Sequence, residues 1–446
     1  MFSKILIANR GEIAVRIIRA CKEMNVATVA IFSEADANAL HVQLADEAVC
    51  VGAPRPKDSY LNMQNIISAA VKTNVAAIHP GFGFLAENSV FAAMCGDCGI
   101  KFIGPSEKAI KLLGDKSNAR RTMLGSGVPV IPGSDGLVKS ADEARATAAA
   151  LGYPVIVKAT AGGGGRGIRQ VYNESDLESA FLAAKNEARA NFANDGVYIE
   201  KIIENARHIE IQILCDAYGA AVHLGERDCS LQRRNQKALE ESPSPVVDAA
   251  LREKMGAAAI TAAKAAGYEN AGTIEFLYDE DGNFYFMEMN TRIQVEHPVT
   301  EMVTGVDIVK EQLKIAFGEK LEMRQEDVII DGCAIECRIN AENPEKDFAP
   351  SPGKIQYLFL PSGCLGLRVD SAVFAGYEIP PYYDSMIAKV ITHAKTRADA
   401  ISKMKRALSE FVIRGVDTNI DFQMGLLNNP DFVSGRFNVN TVKGMM

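Results

Sequence analysis

Apolar and polar positions follow two rhythms in the first hundred residues. Lys4–Asn9 (KILIAN), Ala27–Phe32 (ATVAIF) and Val75–His79 are short apolar runs with a β-branched flavour, and they read as buried strands. Between them, Glu12–Met24 places Ile13, Arg16/Ile17 and Ala20/Cys21 at helical spacing, and Asn65–Lys72 reads as a further helix. Alternation of this kind predicts a parallel sheet covered by helices. The dinucleotide fingerprint is missing, because the turn Asn9-Arg10-Gly11-Glu12 holds one glycine. NAD or FAD binding at that turn is therefore excluded.

Gly114-Asp115-Lys116-Ser117 lacks the glycine that must directly precede the lysine of a phosphate-binding P-loop. A Pro/Gly-marked connection follows at Val128–Gly133 and reads as a domain boundary, and Ser140–Leu151 reads as an alanine-rich helix. Val155–Lys158 (VIVK) and Ile168–Val171 (IRQV) read as strands joined by Gly162-Gly163-Gly164-Gly165-Arg166-Gly167. Glycines let backbone N–H groups approach phosphate oxygens. In P-loops such a run leads into a helix; here it joins two strands, so it is a hairpin flap or a plain surface hairpin. Lys158 and Lys116 are the nearby cations suited to phosphates.

His208–Leu214 (HIEIQIL) alternates strictly, with His208, Glu210 and Gln212 on one face. Taken alone, it is either a half-exposed strand or part of a site. Thr273–Tyr278 and Asn283–Met289 flank Asp279-Glu-Asp-Gly282 as a hairpin. If Asp281-Gly282 are its two central residues, Glu275 falls directly opposite Glu288. Like charges so placed destabilise a sheet unless a divalent cation lies between them. Asn290 shares that face, and two carboxylates with one amide oxygen suit Mg²⁺ or Mn²⁺. The same parity continues through Arg292, Gln294 and Glu296. Arg292 is a candidate holder of an anionic substrate and Glu296 a candidate base.

Composition narrows the function classes. The 446 residues are 48% hydrophobic and 23% charged, as in an ordinary globular chain of about three domains. Lys plus Arg total 48 against 56 Asp plus Glu, for a net charge of −8, which excludes general nucleic-acid binding. No run reaches the ~18 apolar residues of a membrane helix, and the apolar N-terminal run falls short of the ~7 of a secretory core. The nine cysteines are read as reduced cytoplasmic thiols; Cys95-Gly-Asp-Cys98 has no second close pair for zinc, and Cys333/Cys337 is distant.

Five long motifs then carry a resemblance. MEMNTRIQVEHPVTE (Met287–Glu301), HPGFGFLAEN (His79–Asn88), ERDCSLQRRNQK (Glu226–Lys237), ECRINAE (Glu336–Glu342) and PPYYDSMIAK (Pro380–Lys389) resemble the signatures of biotin carboxylases. The likeness extends over essentially the whole chain. It implies the ATP-grasp fold, α/β and α+β, with an N-terminal Rossmann-like parallel-sheet domain (1–114), an ATP-grasp domain with a glycine-rich mobile lid (115–330, lid about 131–203) and a C-terminal domain (331–446).

By the same resemblance, Lys116 and Lys158 match lysines on ATP phosphates, and Gly164 and Gly165 match flap glycines. Glu200, Lys201, Ile202 and Ile203 match the segment meeting adenine, and His208 matches a nucleotide-contacting histidine. Lys237, Arg292, Gln294 and Val295 match the bicarbonate site. Glu275, Glu288 and Asn290 match the metal site, the two glutamates also being counted with ATP. Glu296 matches the base that deprotonates bicarbonate, and Arg338 the arginine that holds the biotin ureido oxygen. Three positions depart from the pattern. Asn235 stands where a nucleotide-contacting histidine is usual, Phe82 replaces a tyrosine, and Ala161 replaces a glycine.

The implied reaction is ATP- and bicarbonate-dependent carboxylation of biotin through carboxyphosphate, with Mg²⁺ or Mn²⁺. Fused relatives carry a biotin-attachment Met-Lys-Met, which Lys403-Met404-Lys405 does not match, so biotin is expected on a separate carrier protein. The implied setting is a bacterial- or plastid-type acetyl-CoA carboxylase: a cytoplasmic homodimer with carboxyltransferase partners, first in the route to malonyl-CoA and fatty acids. The rival readings are another carboxylate-activating ATP-grasp ligase and a nucleotide-binding regulatory subunit.

Overall fold

The computed structural model describes residues 1–159, 168–192 and 196–445, the side chains at 188 and 190–192 excepted. Its chain falls into two compact units. The first comprises Met1–Leu112, Arg207–Glu275 and Met289–Met446; the second comprises Leu113–Ala206 and Phe276–Glu288.

The first unit opens with the expected parallel sheet. Its strands run in the order Glu47–Gly52, Ala27–Ser33, Lys4–Ile7, Ala77–His79, Lys101–Phe102. The helix Gly11–Glu23 buries Ile13, Ile17, Ala20 and Cys21, the stripe read from the sequence, and Ile18 beside it. Met63–Lys72 is the second expected helix, capped by the Asn62 side chain, which accepts from the Asn65 amide at 3.0 Å. The strand Glu47–Gly52 escapes the pattern, being a largely exposed edge with one buried residue. The motif HPGFGF folds as a tight loop that Asn9 holds, donating to the carbonyls of Pro80 and Phe82 at 2.7 Å each. Gly81 in that loop has φ +64°, and a Cβ there would stand 2.9 Å from the Asn9 amide nitrogen.

A second sheet organises the chemistry. Its strands run Phe284–Asn290, Asn270–Tyr278, Arg207–Cys215, Ala221–Arg233, Gln236–Ser242, Cys333–Asn340, Met386–Ala394, Leu367–Ser371. Every residue of Arg207–Cys215 is buried, so the polar face of HIEIQIL points into protein and not into water. One apolar cluster packs on the C-terminal strands around Ile335, Ile339, Val390, Met404 and Leu408. Another joins the N-terminal helix to Leu214, Ala271, Ile293 and Leu313.

The turn between Asn270–Tyr278 and Phe284–Asn290 differs from expectation. Asp279 donates its amide to the Asn283 carbonyl at 2.9 Å, which closes a three-residue loop with Gly282 at φ +86°. A two-residue turn, and the direct opposition of Glu275 to Glu288 that it sets, is therefore not what forms. The strand also ends at Asn290, and Thr291–Glu296 is irregular, so the extended parity does not reach Glu296.

The second unit contains an antiparallel sheet in the order Ile168–Val171, Val155–Ala159, Val197–Lys201. The two strands flanking the glycine run pair as a hairpin, with Lys158 opposite Ile168. The run itself, with Gly164 and Gly165, lies outside the described residues. The helices Ala141–Leu151 and Glu174–Phe192 belong to the same unit, with Ala144, Leu177 and Phe181 in its core. Asp115 caps the helix Lys116–Gly125, accepting from the Ser117 and Asn118 amides, which gives GDKS a structural role.

Candidate active site

In the first unit, three buried carboxylates converge on one lysine. The Lys237 ammonium lies 2.6 Å from Glu210, 2.8 Å from Glu275 and 2.6 Å from Glu296. Lys237 stands at the start of the strand Gln236–Ser242, Glu210 on the fully buried strand and Glu275 on the next one. Glu296 comes from the irregular segment just before the helix His297–Thr304. It occupies the N-cap position without capping, which leaves its carboxylate for the cluster.

Burial alone would push the Lys237 pKa down, but the Glu210, Glu275 and Glu296 carboxylates outweigh it and hold it well above the usual lysine range. Burial likewise favours neutral Glu275 and Glu296, and again charge wins. Lys237 and His208 hold Glu275 well below the carboxylate range. Lys237, Arg338 and Arg227 do the same for Glu296. His208 Nε2 lies 3.2 Å from Glu275, and its pKa is raised because the Glu275 and Glu210 charges exceed the effect of burial.

Two arginines complete the centre. Arg338, on the strand Cys333–Asn340, donates to Glu296 at 2.9 Å and to Glu240 at 2.6 Å. Arg292 donates to Asn290 Oδ1 and to Glu87, each at 2.9 Å. Gln294 and Asn290 both donate to Glu275 Oε1 at 2.9 Å. The fold thus brings together Lys237, Glu275, Asn290, Arg292, Gln294, Glu296, Arg338 and His208. Val295 joins them through its backbone, and its carbonyl accepts from Lys389 at 2.9 Å.

Asn235 is an exposed turn residue. With Arg234 it takes φ +64° and +51° between paired strands, the left-handed pair of a type I′ turn that asparagine tolerates well.

The other nucleotide candidates lie in the second unit. Lys158 donates to Glu200 at 2.5 Å. Lys201 donates to the carbonyls of Gly152 and Tyr153 at 3.0 Å each, and the Ile202 amide donates to Pro154 at 3.1 Å. Ile203 follows, half-buried. Lys116 lies 3.5 Å from Glu288.

Sequence reasoning placed Glu210 on the right face but gave it no role, and it missed Arg227. Arg227 is fully buried and donates to Glu210, Gln212, Thr300, Thr273 and Gln294 at 2.5 to 3.1 Å. All five of its N–H groups are therefore placed. Its only signal was its position inside ERDCS.

The three residues expected at a metal site, Glu275 and Asn290 in the first unit and Glu288 in the second, offer the donors a divalent ion takes. Glu288, Glu275 and the Asn290 amide are hard oxygen donors, the choice of Mg²⁺ or Mn²⁺ over softer metals. Among the described residues Asn290 Oδ1 accepts from Arg292 alone, and Lys116 stands 3.5 Å from Glu288, so both retain oxygen lone pairs for an ion. All nine cysteines are free.

A parallel-sheet N-terminal region, a large mixed sheet carrying a buried glutamate held between two cations, and, in the other unit, paired strands flanking a glycine-rich sequence are features of the ATP-grasp class of enzymes. Family models match in three consecutive pieces: "Biotin carboxylase, N-terminal domain" at residues 1–110, "Carbamoyl-phosphate synthase L chain, ATP binding domain" at 115–324, and "Biotin carboxylase C-terminal domain" at 336–444. The chain belongs to the biotin carboxylase family. It is 61% identical to biotin carboxylase 1 of Bacillus subtilis over 98% of this chain and 97% of that protein. The Campylobacter jejuni biotin carboxylase, solved as a β,γ-ATP complex, superposes with TM-score 0.95 at 49% identity, covering 100% of this chain and 99% of that one. The biotin carboxylase domain dimer of Hydrogenobacter thermophilus 2-oxoglutarate carboxylase, solved with MgADP, ADP and bicarbonate, does so at 0.93 and 52%, covering 100% and 98%. Among the described residues no helix is long and apolar enough to cross a membrane.

Proposed function

We propose that this chain uses ATP and bicarbonate to carboxylate N1′ of biotin held on a carrier protein, and that the two steps use different residues of one cluster. The observation that carries this is Glu296 held between Lys237 at 2.6 Å and Arg338 at 2.9 Å. Bicarbonate is an anion that must lose a proton to attack phosphorus. Lys237 and Arg292 bind and orient it, with Gln294 as a further donor. Glu296 takes its proton, and its oxygen attacks the γ-phosphorus of ATP, giving carboxyphosphate and ADP. Glu275, Glu288 and Asn290 would hold Mg²⁺ or Mn²⁺, which neutralises phosphate charge when bound. Lys116 and Lys158 face the phosphates, and Glu200 to Ile203 and His208 meet the rest of the nucleotide.

Carboxyphosphate then releases its carboxyl group to N1′, while the N1′ proton passes to the departing phosphate. Arg338 steadies the negative ureido oxygen. The chain acts as a homodimer in the cytoplasm, and its carrier and carboxyltransferase partners are those of an acetyl-CoA carboxylase supplying malonyl-CoA. That last assignment is favoured by the high identity to biotin carboxylase 1 of Bacillus subtilis over nearly its whole length. The relative that belongs to 2-oxoglutarate carboxylase sets the alternative.

ADP release from the purified protein should require bicarbonate and rise with free biotin. Release that ignores bicarbonate points instead to another ATP-grasp ligase, and no release to a regulatory nucleotide binder. Co-purification with acetyl-CoA or 2-oxo-acid carboxyltransferase subunits decides the acceptor.

A further inference from the structure

The motif PPYYDSMIAK ends in a charge that the reaction does not use. Lys389 is completely buried on the strand Met386–Ala394. Burying an ammonium is costly unless its donors are placed. Its well-directed hydrogen bond goes to a backbone group, the Val295 carbonyl, at 2.9 Å. Charge balance comes first from Glu12, 3.0 Å away in the first turn of the helix Gly11–Glu23, and next from Glu336 on the paired strand. Asp370 lies farther, at 3.9 Å, and is already held by two hydrogen bonds from Arg368.

The register gives this bond its meaning. Lys389 pairs directly with Arg338 on the neighbouring strand, so both side chains rise from one face of the sheet. Arg338 grips the Glu296 carboxylate, and Lys389 grips the carbonyl of the peptide that joins Val295 to Glu296. Thr291–Glu296 has no regular structure of its own, so its shape depends on such ties.

Resting on the function proposed above, we infer that Lys389 is a positioning residue: by holding the Val295 carbonyl it aims the Glu296 carboxylate at bicarbonate. Glu12 neutralises the lysine and contributes stability, without aiming anything.

The test compares K389M, K389R and E12Q in the full-length protein by bicarbonate and ATP kinetics and by thermal melting. Because misplacing a base by about 1 Å is expensive, K389M should raise the bicarbonate KM or lower kcat by about tenfold or more. In the same variant the ATP KM should stay within about twofold. K389R should recover part of the loss. E12Q should melt earlier with the bicarbonate KM unchanged. Should K389M not fold, the double variant K389M/E12Q, which removes both buried charges, takes its place under the same criteria. Bicarbonate kinetics of K389M like the wild type's, or an E12Q that reproduces the K389M defect, overturns the proposal. Failure of the underlying function would appear earlier, as wild-type ATP cleavage indifferent to bicarbonate.

Discussion

Lys237 and Glu296 form a buried ion pair at 2.6 Å. This contact holds the proposed base ionised and also keeps it weak, because a carboxylate so stabilised has little affinity for a proton. Bicarbonate entering beside Lys237 would draw that lysine's donors to itself and raise the basicity of Glu296 at the moment it is needed. Lys237 also balances Glu210 and Glu275, so its removal leaves three buried carboxylates short of a partner. Lys237→Gln should therefore lower stability by about 3–5 kcal/mol. It should also reduce bicarbonate-dependent ATP cleavage by ~10² or more. Melting curves and phosphate release measure the two effects separately, and a stable variant with normal bicarbonate dependence would refute the role.

Arg338 and Glu296 touch each other, yet their chemistry separates them. In the proposed scheme Glu296 accepts a proton in the first step, whereas Arg338 is a fixed cation that cannot act as a base. Its stabilisation is strongest when the ureido oxygen carries charge, in the second step. Arg338→Ala should retain bicarbonate-dependent ATP cleavage while losing ~10²–10³ in carboxybiotin formation. Glu296→Ala should lose both. Parallel assays of phosphate and carboxybiotin decide this, and equal loss of both activities in Arg338→Ala contradicts the division.

Glu240 and Glu336 are directly opposed on adjacent strands, and both are fully buried. Burial, partly offset by Arg338, pushes Glu240 up to about 7, and burial raises Glu336 well above the usual carboxylate range. A raised carboxyl keeps its proton in the folded state after the unfolded chain has released it. Its stabilising effect is complete below the unfolded value near 4.5 and is lost as pH rises through 7 and beyond. The melting temperature should therefore fall as pH rises from about 5 through 7, and Glu336→Gln should flatten that decline. An unchanged slope in the variant would show that the pair is not the titrating group.

Much of this was legible because the deciding residues sit in regular elements. The parallel sheet, the helix Gly11–Glu23 and the paired strands around the glycines each obey a single period, and each formed where the pattern put it. The hairpin turn was misread because Asp279 closes it one residue earlier than Asp281-Gly282 suggested. The role of Arg227 was hidden because its five partners lie on two strands, a loop and a helix far apart in sequence. Lys389 was hidden for the same reason, since neither periodicity nor spacing relates it to Val295.

The two metal candidates should respond differently to neutralisation. Glu275 is buried and engaged by Lys237, His208, Asn290 and Gln294, so Glu275→Gln disturbs a packed network and should lower stability by about 1–3 kcal/mol. Glu288 is half-exposed, with Lys116 at 3.5 Å as its ion-pair partner. Its loss removes an oxygen ligand and little else, so Glu288→Gln should keep stability within about 0.5 kcal/mol of the wild type. The same variant should need about tenfold or more Mg²⁺ for half-maximal ATP turnover, the size of effect typical when a metal site loses a supporting group. Titrating Mg²⁺ at fixed ATP, with a melt of the same sample, measures both. A Glu288→Gln protein whose Mg²⁺ requirement matches the wild type removes Glu288 from the metal site.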